Sequence, residues 1–200
     1  MASQPGSREK ILQCASEMFY YIGYQATSVD DILAQSGVAK SNFYYHFKTK
    51  EQLAFEVLEG QAADFEAVLQ QTIGNQALRP KERLERLFQE MCSLQSVIHK
   101  FAGCPFGNLA AALPRSENDG RSERFRVRLS QLFSKVENAL RDCLAEGALC
   151  GDFRWDLSAE EGALLLLATL EGLMVLTKTY RDVRPLVRGC AALQRILCAE

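Results

Sequence analysis

Proline and glycine are scarce in this chain, with five and thirteen of 200 residues. Strict apolar–polar alternation is absent as well, which argues against strands. The seven cysteines are odd in number, scattered and without CxxC spacing. That pattern speaks against a disulfide framework and points to reduced thiols in a cytoplasm. Histidine is limited to His46 and His99, which lie too far apart in sequence to share a metal, so no metal is expected. No signal peptide is read, because Met1 to Ser7 is short and polar. The longest apolar run, Gly162 to Thr177, is interrupted by Glu171. It is shorter than the roughly 20 residues of a membrane span and reads as a buried helix. Charge of one sign is lacking too, since the net charge is −2. The chain as a whole is therefore not a basic nucleic-acid binder.

What remains favours an all-α protein of about nine helices. Hydrophobic residues make up 48% of the chain, enough for a sizeable helical core. Residues 1–58 read as a small N-terminal domain of three helices, with 59–200 a larger helical domain. Helices are expected over Arg8–Ile22, a pair within Thr27–Phe47, Lys50–Ile73, Pro80–Phe101, a short one between Gly103 and Pro114, Gly120–Glu146, Ala159–Tyr180 and Val183–Cys198. A loop over Gly147–Leu157 precedes the eighth helix, with Trp155 packing in it.

Thr27 to Leu53, TSVDDILAQSGVAKSNFYYHFKTKEQL, is the most informative stretch. Ser28 and Asp31 have the spacing of a capping box, and Thr49 and Gln52 repeat it. Val29, Ile32 and Leu33 form one apolar stripe, and Gly37 suits a left-handed helix stop. Val38 reads as a plug before a second helix over about Ala39 to Phe47. Phe43 and Phe47, four apart, are expected to be buried together. Lys40, Ser41, Asn42, Tyr44, Tyr45 and His46 are left on the outer face, with no acid among them. Lys40, Lys48 and Lys50 supply local positive charge, which is what phosphate contact requires. Two short helices joined at a glycine, the second so decorated, make a helix-turn-helix.

About Arg8 to Leu58 resembles the DNA-binding domain of the TetR family of transcriptional regulators. The resemblance rests on G-Y-x-x-T-S at Gly23–Ser28 and Y-x-H-F-x-x-K-E at Tyr44–Glu51, with Ile11, Leu12, Ala15, Phe19, Val29, Ile32, Ala34, Gly37, Val38 and Leu53. Asn42 and Phe43 stand where the family more often has a small residue and then leucine, and Leu33 where alanine is usual. These changes bear on operator choice. The resemblance implies phosphate contact by Thr27, near Ser28 at the second helix start, and by Lys50. Lys40, Ser41 and Asn42 would reach base edges, Asn42 suiting adenine and Lys40 guanine. Tyr45 would touch a thymine methyl or backbone, and Tyr44 and His46 would position backbone.

Leu164 to Leu167, Leu170 and Leu173 to Leu176 surround almost the whole eighth helix, so a second subunit is expected to cover one side. The resemblance also implies a homodimer through the last two helices. Leu166, Leu170, Leu173, Leu186 and Leu193 are the candidate interface residues. The larger domain is then expected to hold a small-molecule inducer. FAGCPFGNLAAAL, Phe101 to Leu113, places Cys104 before Pro105 at a helix start, where amide groups favour a thiolate. The segment is similar to one in a branch of the family that responds to electrophiles and oxidants. That implies a sensor made from Cys104 and Lys178, with Phe106 and Glu171 as further ligand candidates. The remaining cysteines read as core or surface fillers.

The expectation is thus a ligand-responsive regulator in the cytoplasm, a repressor by family habit. It would bind a palindromic double-stranded DNA operator, with no cofactor, no membrane and no catalysis. One alternative is a TetR-like module that binds lipid or another small molecule without DNA. Another is a thiol enzyme built on Cys104 and His99, which lacks an orienting acid or an oxyanion motif.

Overall fold

A computed structural model describes residues 6–97, 101–113, 120–154 and 156–198. His99, Pro114 and Trp155 lie outside the described residues, and Phe101, expected to end the fifth helix, is described but not helical, with φ 38°. Among the described residues the chain is all α, with nine helices. They are α1 (Ser7–Tyr21), α2 (Val29–Ser36), α3 (Lys40–His46), α4 (Lys50–Gln71), α5 (Pro80–Val97), α6 (Pro105–Ala112), α7 (Gly120–Cys150), α8 (Ala159–Tyr180) and α9 (Arg184–Leu197).

Local chemistry sets most of these limits. Ser28 Oγ accepts from the Asp31 amide at 3.1 Å, and the Asp31 carboxylate accepts from the Ser28 amide at 2.8 Å. Ser158 and Glu161 repeat this box at the start of α8. Gly37 ends α2 in the left-handed region at φ 66°, open to glycine without steric cost. Thr49 Oγ1 accepts from the Gln52 amide, but the Gln52 side chain reaches back to the Lys48 amide. Pro80 and Pro105 open α5 and α6, where a missing N–H costs nothing.

One boundary departs from expectation. Gly147 does not stop α7, which continues through Cys150. The chain then turns back at Gly151, and the Asp152 and Phe153 amides both donate to the Gly147 carbonyl. The Phe153 ring lies where a Gly147 side chain would be, 2.1 Å from an added Cβ. The glycine serves a close approach within a helix, which in sequence looks like a helix stop.

The chain forms two compact units, Met1–Ala63 with Pro105–Arg128, and Asp64–Cys104 with Leu129–Glu200. This division differs from a single break after Leu58, because α6 and the first part of α7 join the N-terminal helices. In the first unit, Ile11, Ala15, Ile32, Phe43, Phe47 and Leu53 are all fully buried in one cluster. Full burial of such side chains stabilises by about 1.5–3 kcal/mol each. Phe125 of α7 packs edge-on against Phe55 of α4, with ring centroids 5.4 Å apart.

In the second unit, α8 buries Leu166, Leu170 and Met174, while α9 buries Leu186, Cys190, Leu193 and Leu197. Leu173 packs onto Gly189, where an added Cβ would lie 2.3 Å from a Leu173 methyl. The buried Arg83 guanidinium of α5 holds Glu146 of α7 through two hydrogen bonds and also donates to the Leu78 carbonyl. This pairing meets the requirement that a buried charge be matched. No described helix is long and apolar enough to cross a membrane.

Gly147→Ala is expected to lose about 1–3 kcal/mol of stability through overpacking against Phe153. Urea denaturation followed by circular dichroism measures that loss.

Candidate nucleic-acid interface and effector site

Phe43 and Phe47 turn inward from α3 with their rings 5.8 Å apart, and both are fully buried. Four residues of spacing on a helix forces the intervening positions outward. Lys40, Ser41, Asn42, Tyr44 and Tyr45 are exposed accordingly, with Tyr45 at 79%. The aromatic Phe43, unusual for this position, fills core volume and leaves Asn42 at the surface.

Several of these groups already have partners. Lys40 Nζ pairs with Asp30 at 3.1 Å, and that carboxylate raises the lysine's pKa. His46 is half-buried, and its Nε2 shares a 3.0 Å hydrogen bond with Ser7 Oγ. Lys50 is also half-buried, and its ammonium sits 4.3 Å from the centre of the Tyr24 ring. Burial lowers its pKa. Lys48 Nζ donates to the Tyr44 carbonyl, at the end of α3. Asp30 and Ser7 belong to this surface, though no sequence pattern singles them out, and Tyr24 of the G-Y-x-x-T-S motif joins them. Their roles arise only where α1 and α2 meet α3 and α4 within the same unit.

Thr27 differs from expectation. It is 1% exposed, and its hydroxyl donates to the Gly23 carbonyl at 2.9 Å. The side chain is therefore not available to phosphate; it closes the turn before α2. Ser28 is exposed, but its hydroxyl donates to the Asp31 carboxylate as part of the cap.

The second unit gathers three of the four expected effector residues. Gly103 adopts φ +77°, and its backbone lies against α8. An added Cβ there would approach the Met174 carbonyl oxygen to 3.3 Å and the Lys178 stem to 3.5 Å. The Gln95 amide of α5 donates to the Gly103 carbonyl. Held in this way, the half-buried Cys104 donates its thiol hydrogen to Glu171 on α8. Burial raises the Glu171 pKa, and that hydrogen bond partly offsets the rise. Lys178 lies seven residues after Glu171 on the same helix, two turns along one face. Thr177, its neighbour, is fully buried, and its hydroxyl oxygen has no hydrogen-bond partner among the described residues. The thiol thus faces a carboxylate, in addition to the helix start that its position before Pro105 suggests. Phe106 is buried in the first unit. Among the described residues no cluster of metal-ligating side chains occurs.

The apolar surface of α8 and α9 also differs from expectation. Leu166, Leu170, Leu186 and Leu193 are at most 7% exposed within one chain and cannot contact a partner. Leu173 is half-buried against Gly189. The outward apolar stripe is instead Leu164, Leu165, Val175 and Leu176 on α8, with Val187 and Ile196 on α9. The sequence shows both faces of α8 as equally apolar, so only packing separates them.

Comparisons with known proteins agree with this geometry. Residues 11–57 match the family model for bacterial regulatory proteins of the tetR family, and residues 80–193 match a tetracyclin repressor-like C-terminal domain. The chain is similar to the HTH-type transcriptional repressor DhaR of Mycobacterium sp. (strain GP1), 27% identical over 90% of this chain and 86% of that protein. It is 32% identical to the HTH-type transcriptional repressor KstR2 of Mycolicibacterium smegmatis, over 79% of this chain and 73% of that protein. A crystal structure of regulatory protein TetR from Rhodobacter sphaeroides superposes with a TM-score of 0.84 at 22% identity, covering 96% of this chain and 98% of that one. With a helix-turn-helix of this composition and both halves matched, the chain belongs to the TetR family and is a helix-turn-helix transcriptional regulator.

Proposed function

We propose that this regulator represses transcription by binding a palindromic operator as a homodimer, and that a small molecule or reactive electrophile releases it. The observation that carries the reading is α3, a helix anchored by two buried phenylalanines with its amide, hydroxyl and basic groups turned to solvent. Lys40, Ser41 and Asn42 at its start read base edges, and Tyr45 contacts a methyl or backbone. Tyr44, His46 and Lys50 position the phosphate backbone. The Asp30 carboxylate holds Lys40 until DNA exchanges for it. The names of the repressors DhaR and KstR2 support repression over activation.

Two heads are needed to read a palindrome, with half-sites about 34–36 Å apart in the simplest case. The apolar stripe of Leu164, Leu165, Val175, Leu176, Val187 and Ile196 is the surface that a second copy covers. Residues 1–58 serve DNA and 59–200 serve sensing and pairing. In the latter, Cys104, Glu171, Lys178 and Thr177 form the polar end of an effector site around Gly103. The inducer must prefer the state that does not bind DNA, since equal affinity for both states shifts nothing. The regulator works in the cytoplasm, needs no cofactor and catalyses no turnover.

Selection of bound sequences from random duplex DNA by the purified protein tests the reading. A palindromic consensus is expected, and enrichment without dyad symmetry would overturn it. Asn42→Ala is expected to relax preference at one position by about 1–3 kcal/mol. Lys50→Ala should weaken all DNA binding and flatten the salt slope by about one unit, read from fluorescence titrations. Val175→Glu, which places a charge in the paired stripe, is expected to give a folded monomer in analytical ultracentrifugation, with operator affinity lost. Burial raises the folded-state pKa of Glu171, so its ionisation opposes folding above that raised value. Glu171→Gln should therefore be the more stable form at neutral pH. That advantage should vanish as pH falls below the ordinary glutamate value of about 4.3, as measured by denaturation across pH.

A further inference from the structure

G-Y-x-x-T-S and K-E, two separate pieces of the motif that marks the reading head, meet in space. Lys50 opens α4, and its ammonium lies 4.3 Å from the centre of the Tyr24 ring. Other basic groups of this surface are held by oxygen, Lys40 by the Asp30 carboxylate and Lys48 by the Tyr44 carbonyl. DNA must displace Asp30 to engage Lys40. Lys50 rests on a ring face, which orders the side chain but neutralises none of its charge. A lysine ordered in advance gives up less rotamer freedom on binding.

Tyr24 stands in the turn between α1 and α2. Gly23 takes φ +104° there, and the Thr27 hydroxyl closes the turn onto the Gly23 carbonyl. The Tyr24 ring meets Phe19 of α1 edge-on, with centroids 5.4 Å apart. It also meets Phe125 of α7, at 6.3 Å. Phe125 is 4% exposed and packs edge-on against Phe55 of α4, whose ring centre lies 3.4 Å from the Arg124 guanidinium. Gln25, the next residue of the turn, donates from Nε2 to the Ala112 carbonyl at the end of α6, at 3.0 Å. All of these residues belong to the first unit.

We propose that Tyr24 is a positioning residue for DNA binding, setting the Lys50 ammonium at the phosphate backbone, and that Phe125 of α7 acts through Tyr24 to the same end. This role rests on the phosphate contact proposed for Lys50. Aromatic pairs prefer offset or edge-on geometries, so Phe125 limits the tilt of the Tyr24 ring as well as its place. A smaller side chain at position 125 leaves space into which the ring relaxes, and Lys50 loses its platform. No residue of α7 then needs to touch DNA for α7 to affect its binding.

The full-length protein, titrated with a fluorescent DNA duplex of mixed sequence at several salt concentrations, provides the test, since phosphate contact does not depend on sequence. Tyr24→Phe keeps the ring and should bind as the wild type does. Tyr24→Leu should weaken binding by about 3–10-fold and flatten the salt slope by up to about one unit. In a Lys50→Ala background Tyr24→Leu should cost nothing further, because its effect passes through the lysine. Phe125→Leu should give the same loss in the wild type and be silent in Lys50→Ala. Circular dichroism checks that each variant is folded, and a methionine variant stands in where a leucine variant is not. A position at which neither folds is a core position only, and its role here is overturned. Loss of binding in Tyr24→Phe, which would make the hydroxyl the DNA contact, overturns the proposal. So does a Tyr24→Leu effect that persists in full without Lys50, and a Phe125 variant that lowers the melting temperature but leaves binding unchanged removes α7 from it. If Lys50→Ala changes neither affinity nor slope, the phosphate contact fails and the positioning role with it. If Lys50→Ala weakens binding and Tyr24→Leu does not, only the positioning role fails.

Discussion

Burial of Phe43 and Phe47 is the constraint on which the reading head depends. A seven-residue helix has little stability of its own, because nucleation costs more than one or two turns return. Its form is set by tertiary packing on Ile11, Ala15, Ile32 and Leu53, all fully buried. The same packing fixes the rotation of α3 about its axis, and that rotation decides which side chains meet solvent. Phe43, where leucine is usual in the family, adds volume to this core without moving outward. Sequence recognition on the outer face is thus a consequence of apolar packing on the inner one.

The second unit solves a different problem with the same rule. An eighth helix apolar all round must choose one face for its own chain. α9 makes that choice, because Gly189 lets Leu173 approach and Leu186, Cys190 and Leu193 fill the seam. The opposite stripe is left exposed. The choice of stripe also brings Glu171 to the Gly103–Cys104 turn, so the exposed apolar stripe and this polar turn share one helix.

The helix limits were legible wherever a side chain caps its own helix. Ser28 with Asp31, Ser158 with Glu161 and Gly37 each act within four residues, so local sequence suffices. Gly147 misled because a glycine that admits Phe153 looks like one that ends a helix. Thr27 misled because a threonine at a helix entrance can turn either way, and here its hydroxyl closes a turn onto Gly23. Leu166, Leu170, Leu186 and Leu193, expected at the pairing face, are core residues for a similar reason. Periodicity identifies faces but not which neighbour each face meets.

By itself the sequence determined the all-helical class, the helix-turn-helix and its family, because these depend on spacing, capping and residue type within short segments. Tertiary structure alone decided which face of α8 is covered, that Lys50 rests over Tyr24 and that Cys104 faces Glu171. Each of those contacts joins residues distant in the chain. Their distance and burial are set by packing between helices, which no local pattern encodes.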